Sequence, residues 1–223
     1  MGKDKTEQVN TGEKITFFLH KYRKILLALV IIIVVGIAFS VAFFTIRGTM
    51  EKKAIAKVEV FERRINEEGI LYGDAYSAEA TALLDELNTF AASTFGYAAA
   101  RSYFLAADIY FARKDWKMAE ESWVNAAQKT PKIYLAPVSL FNAAAAAEEQ
   151  GNKEAAIVHL KESLDYKGIF PAAARVRFNI GRIHEELHER EKAKEAYLAL
   201  IENNPDSPWA NLAHNRLIML EKN

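Results

Sequence analysis

The 223-residue chain contains no cysteine. Disulfides, thiolate zinc sites, a cysteine nucleophile and a lipidated cysteine anchor are therefore excluded. Glycine and proline are scarce, at 10 and 5 residues, while Ala, Leu, Glu and Lys are abundant. That balance favours an all-α chain. No alternating apolar–polar run of strand length occurs. Neither charge is in surplus: 29 basic residues meet 29 acidic ones. Bulk charge thus gives no argument for nucleic acid or for an acidic partner. Neither G-x-x-x-x-G-K nor G-x-G-x-x-G is present, so the two common phosphate-cradling loops are missing and no nucleotide cofactor is expected.

Charge is also missing locally. None occurs between Lys24 and Arg47, where the chain reads ILLALVIIIVVGIAFSVAFFTI. A helix of that length, rising about 1.5 Å per residue, covers a hydrocarbon core of roughly 30 Å. A cleaved signal peptide usually has a shorter apolar stretch and ends at a small-x-small site before polar sequence. Here AFS runs on into more apolar residues, so residues 25–46 are expected to be an uncleaved transmembrane signal anchor. Gly36 and Ser40 form a small-x-x-x-small pair, a spacing common in spans. Lys14, Lys21, Arg23 and Lys24 flank one side, and Arg47, Lys52, Lys53 and Lys57 the other. Long domains translocate largely regardless of charge, so the compact cluster on the short tail decides. Residues 1–24 are expected in the cytoplasm and the large domain outside it.

Beyond Arg47 a repeat emerges. Ala119, Trp123, Ala126 and Pro131 are spaced +4, +3, +5, and Ala193, Tyr197, Leu200 and Pro205 repeat that spacing. Ala156, Leu160 and Ser163 lie midway, with a period of 37. The same period aligns Ala107, Ala144 and Gly181, all small, and then Tyr110, Ala147 and His184. Each unit reads as a helix, a turn at RKDW, QGNK or HERE, and a second helix. Small residues midway along the first helix admit the second, and its own Ala is the matching contact. Ile55, Val58, Phe61 and Ile65 mark a preceding helix, and Ala80, Leu84 and Leu87 a degenerate second helix of an initial unit. Ser207-Pro208 reads as the start of a terminal helix that covers the last repeat. The expected organisation is a tail (1–24), an anchor (25–46), a stalk and degenerate repeat (47–99), three repeats (100–207) and a capping helix (208–223).

This spacing resembles the tetratricopeptide repeat (TPR). The first unit carries the resemblance through Tyr103, Ala107, Tyr110, Trp116, Ala119, Trp123, Ala126 and Pro131, and the third adds Asn179-Ile180-Gly181 and Asn203-Asn204-Pro205. The period exceeds the family's usual 34 by three, which points to longer inter-repeat turns. The resemblance implies an α-solenoid that binds extended peptides or partner helices along the face lined by first helices. Carried onto this sequence, that face holds Phe104, Phe141 and Phe178 in one column. Neighbouring columns are Arg101, Val138 and Arg175; Asp108, Ala145 and Arg182; and Phe111, Glu148 and Glu185. The Phe column either lines the groove or packs one repeat on the next. The charged positions are better groove candidates, because charge is rarely buried between repeats.

The third repeat also contains His184-Glu185-Glu186-Leu187-His188, an H-E-x-x-H match. On a helix, that motif gives two imidazoles one turn apart as zinc ligands and a Glu to activate water. The repeat register argues against it. His184 falls at a packing position facing Ala193 and Tyr197, and His188 falls in the turn. No third ligand follows, so neither a catalytic residue nor a metal is expected. A membrane-anchored zinc hydrolase stays as the reading from another class.

The layout of short tail, HKYRK segment, single span and small TPR domain is similar to the YfgM type of envelope protein. That family is an ancillary partner of the Sec translocon and works with periplasmic chaperones. The resemblance implies a single-pass protein of the bacterial inner membrane with a periplasmic domain and protein partners. Neither nucleic acid nor a small-molecule substrate is implied. Scaffolding of cell-wall or division machinery is the alternative in the same class.

Overall fold

The computed structural model describes residues 11–71, 73 and 75–222. Residues 1–10 of the expected tail and Asn223 of the expected cap lie outside them. The described residues form helices joined by turns, with no strand among them. Two compact units divide the chain, one ending at Lys52 and the other beginning at Lys53.

In the first unit, helix α1 (Thr11–Glu67) carries the whole apolar run. It is long and apolar enough to cross a membrane, and the run's side chains are exposed along it. Its hydroxyls are satisfied within the helix. Ser40 donates to the Gly36 carbonyl and Thr45 to the Val41 carbonyl, each at 2.8 Å. In hydrocarbon, where water cannot take those bonds, this removes the cost of an unpaired hydroxyl.

In the second unit, the C-terminal part of α1 packs on α2 (Ala78–Ser93). Val58, Phe61 and Ile65 meet Leu83, Leu84 and Leu87 in one buried cluster. Three hairpins follow: α3 (Gly96–Ala112) with α4 (Trp116–Lys129), α5 (Leu135–Glu149) with α6 (Lys153–Leu164), and α7 (Ala173–Glu186) with α8 (Arg190–Asn203). Helix α9 (Pro208–Lys222) closes the stack. Buried clusters link each hairpin to the next, and the last joins α7, α8 and α9. Nearest-neighbour burial of this kind is what stabilises a solenoid.

The small-residue register explains how the hairpins close. Ala107, Ala144 and Gly181 are buried, as are Ala119, Ala156 and Ala193 opposite. In the third hairpin the Tyr197 ring lies where a side chain at 181 would be: a Cβ there would come within 2.5 Å of it. Glycine at 181 therefore makes room for the Tyr197 ring as it is placed here.

All three hairpin turns are the same motif. Lys114, Gly151 and His188, 37 residues apart, each adopt a left-handed backbone, with φ of 60°, 76° and 59°. The next amide in each turn donates back to the helix: Asp115 to Tyr110, Asn152 to Ala147 and Glu189 to His184, all at 2.9 Å. These bonds satisfy carbonyls that the helix end would otherwise leave free. The third turn residue then starts the second helix. Asp115 accepts from the Met118 amide, and Asn152 from the Ala155 amide. The extra period length goes into the connections between hairpins, Thr130–Tyr134 and Asp165–Ala172. Of the prolines near first helices, Pro171 precedes α7, whereas Pro137 lies inside the first turn of α5. That turn's amides have no intrahelical acceptor, so proline costs nothing there.

Candidate partner-binding face

The residues singled out from the sequence lie on α3, α5 and α7, and most are engaged across repeats. On α3, Arg101 pairs with Glu62 of α1 at 2.5 Å and stacks on Phe104 at 5.2 Å. Phe104 is 9% exposed and packs with Trp123, Ala143 and Ala146. Phe111 is half-buried and stacks on Trp116 and Trp123 at 4.7 and 5.4 Å. On α5, Phe141 is half-buried beneath the Arg175 guanidinium at 5.1 Å. Glu148 accepts from Arg182 of α7, which also bonds to Glu186. Arg175 is exposed and reaches over Trp209 of α9 as well. Phe178 sits between Tyr197 and Trp209, at 5.6 and 5.2 Å.

Glu185 is the most enclosed of the charged set. Arg216 of α9 grips it with two nitrogens, and the Tyr197 hydroxyl donates to it. Burial pushes its carboxyl up, but those bonds overcome that and hold it below the usual range. Burial and the adjacent Glu185 carboxylate raise the Tyr197 hydroxyl.

Glu–Arg pairs thus join α1 to α3, α5 to α7 and α7 to α9. The step from α3 to α5 has none. On α3, Asp108 is half-buried and has no ion pair among the described residues. Burial pushes its carboxyl up to about 7. Two neighbours oppose the rise: the Arg101 charge, and the indole N–H of Trp123. That N–H is buried without a completed hydrogen bond to any group. The stretch therefore holds a carboxyl poised between charged and neutral, the indole N–H beside it and the half-buried Phe111. Such a combination suits a polar or cationic group flanked by apolar surface.

Residues 174–207 match the tetratricopeptide repeat family. A TPR repeat-containing protein of Treponema pallidum (strain Nichols) is 30% identical over 219 residues, covering 91% of each chain. The chain belongs to the tetratricopeptide repeat family. Proteins of this family generally mediate protein–protein interactions, so the TPR domain is read as an interaction scaffold.

The H-E-x-x-H stretch takes its meaning from the TPR register. Helix α7 ends at Glu186, and His188 is the left-handed turn residue beyond it. The two imidazoles are therefore not stacked on one helical face, as the zinc-protease motif requires. His184 is 6% exposed and its Nδ1 lies 2.6 Å from Glu189 Oε2. Glu189, which is not among the expected partners, is thus the residue that engages His184. A signal for it existed. Glu189 occupies the column of Asp115 and Asn152, which cap their helices, but it makes no such cap bond in α8. Other engaged residues carried no periodic signal. Glu62 and Arg216 lie outside the three repeats, and Glu120 pairs with His159 at 2.8 Å across hairpins.

Proposed function

We propose that the chain is a single-pass scaffold of the bacterial cell envelope that holds partner proteins at the membrane and acts by binding. Residues 25–46 would span the inner membrane, with the tail in the cytoplasm and the TPR domain in the periplasm. The compact Lys21-Tyr22-Arg23-Lys24 cluster supports that orientation. Partner segments would lie along the first-helix face at the α3–α5 step, contacting Asp108, Phe111, Phe141 and Arg175. The observation that carries this site is Asp108: its carboxyl has no ion pair among the described residues, and the α3–α5 step has none of the Glu–Arg pairs that join the other first-helix steps. A lysine or arginine of a partner would supply the missing charge and pull the carboxyl back to its ionised form.

The similarity of layout to the YfgM type supports partners among translocon components and periplasmic chaperones. Crosslinking in intact membranes tests this. Recovery of those components is the expected result. Recovery of cell-wall or division proteins without any of them would redirect the reading to that machinery. Protease treatment of spheroplasts tests the orientation: the TPR domain should be digested, and protection would contradict its placement. Stoichiometric tight zinc in the purified protein, with hydrolysis abolished by Glu185→Gln, would overturn the scaffold reading.

A further inference from the structure

The two edges of the solenoid differ in chemistry. Consecutive helices run antiparallel, so turns within hairpins gather at one edge and connections between hairpins at the other. The within-hairpin edge is polar, with Arg113-Lys114-Asp115, Gln150-Gly151-Asn152 and Leu187-His188-Glu189. Among the described residues its exposed aromatic is Tyr76, which is tied down, because its hydroxyl donates to the Arg113 carbonyl and Arg113 stacks on its ring. The between-hairpin edge presents apolar tips. Phe95 is 73% exposed, Ile133 43%, Tyr134 48% and Ile169 88%.

Two of these connections share a pattern: Lys132-Ile133-Tyr134 and Lys167-Gly168-Ile169-Phe170. A lysine followed by an aliphatic and an aromatic suits a membrane interface. The aliphatic side chain enters the acyl boundary, the exposed Tyr134 sits at headgroup level and the lysine snorkels to water, while Phe170 is buried beneath Tyr134 and anchors the second connection to the core. The second unit itself begins at this edge. Lys57 lies over Phe90 near the end of α2, so Lys53, one turn earlier, is at the same end of the helices. Only five residues lie between Arg47, the first charge after the apolar run, and Lys53. Lys53, Lys57, Lys132 and Lys167 share this edge with Asp165 and Asp206, and the exposed apolar tips supply a contact that needs no anionic lipid.

We infer that the between-hairpin edge, through Phe95, Ile133, Tyr134 and Ile169, docks on the lipid surface of the membrane that holds the chain's own anchor. This rests on the reading of residues 25–46 as a span. Docking by an edge leaves the first-helix face free for a partner and holds it at a fixed height above the bilayer.

The absence of cysteine makes the test direct. Full-length single-cysteine variants at Phe95, Ile133 and Ile169 are labelled with an environment-sensitive fluorophore and reconstituted in phosphatidylcholine vesicles. Lys114→Cys and Glu149→Cys report the opposite edge, and Ala38→Cys reports the span. Labels at 95, 133 and 169 should shift to the blue and lose emission to spin-labelled lipid, and added salt should not reverse this. Labels at 114 and 149 should lose emission to aqueous iodide. The double substitution Ile133→Ser/Ile169→Ser touches only exposed side chains, and it should return the label at 95 to iodide. If label 38 is lipid-quenched while 95, 133 and 169 behave like 114, edge docking is wrong and the anchor stands. Edge labels shielded from both quenchers would mean that protein covers the edge, which also overturns the inference. If label 38 escapes lipid quenching, the anchor reading itself fails.

Discussion

Replacing Asp108 by asparagine keeps the side chain's size and removes its charge. In the folded chain burial raises this carboxyl from 3.8 to about 7. Each tenfold change in proton affinity corresponds to about 1.4 kcal/mol, so a charged Asp108 costs the fold on the order of 4 kcal/mol above pH 7. The sign follows from proton binding. Between the two values the folded state holds a proton that the unfolded chain has lost, so stability falls as pH rises. Above pH 7 the cost is fully present, and below pH 4 it is gone. Asp108→Asn should therefore be clearly more stable than the parent at pH 8. Its advantage should shrink by about 1.4 kcal/mol per pH unit between pH 7 and pH 4. Trp116, Trp123 and Trp209 all lie in the second unit, so urea unfolding followed by tryptophan fluorescence reads that unit specifically. A difference that stays constant across pH 4–8, or a variant less stable than the parent at pH 8, would refute the reasoning.

Gly181→Ala should destabilise by about 1–3 kcal/mol despite alanine's better helix propensity, because the added methyl meets the buried Tyr197 ring. Adding Tyr197→Leu should restore much of the loss, since Ala144 with Leu160 is the pairing that the second hairpin already uses; thermal melts of the single and double variants check this. His188→Gly should stabilise by about 1 kcal/mol by relieving a left-handed backbone, read as a higher urea midpoint. Arg216→Ala should cost about 1–3 kcal/mol by leaving the half-buried Glu185 without its cation, and hydrogen exchange should quicken first in α9. Glu185 is held below 4.5, so the contribution of this pair is present above that value and disappears as pH falls through the lower folded one. The penalty of Arg216→Ala should therefore shrink on acidification.

The hairpins were legible because solenoid packing is periodic. Ala107, Ala144 and Gly181 recur at one position because that position touches the second helix in every repeat. His188 could be placed in a turn because its column contains Gly151, and the turn geometry demands a left-handed residue there. What pairs with what across repeats was not legible. Arg101 meets Glu62, and Glu185 meets Arg216, through residues of the flanking helices that follow no 37-residue rule. Burial of Asp108 was equally hidden. Its column reads Asp, Ala, Arg, and only the fold shows that Arg182 is bound to Glu148 while Asp108 has no ion pair among the described residues. The Phe column shows how one letter takes different environments. Phe104 is 9% exposed between hairpins, whereas Phe141 is half-buried under Arg175.

Photo-crosslinking from single positions in intact membranes tests the central claim most directly. Crosslinkers at Phe111 and Phe141 sample the first-helix face, and at Val158 and Leu198, both exposed on second helices, the outer one. Protein adducts should form from Phe111 and Phe141 and be lost when Asp108→Lys reverses the charge between them. Adducts confined to Val158 and Leu198, or adducts at Phe111 indifferent to Asp108→Lys, would contradict a partner held at the α3–α5 step.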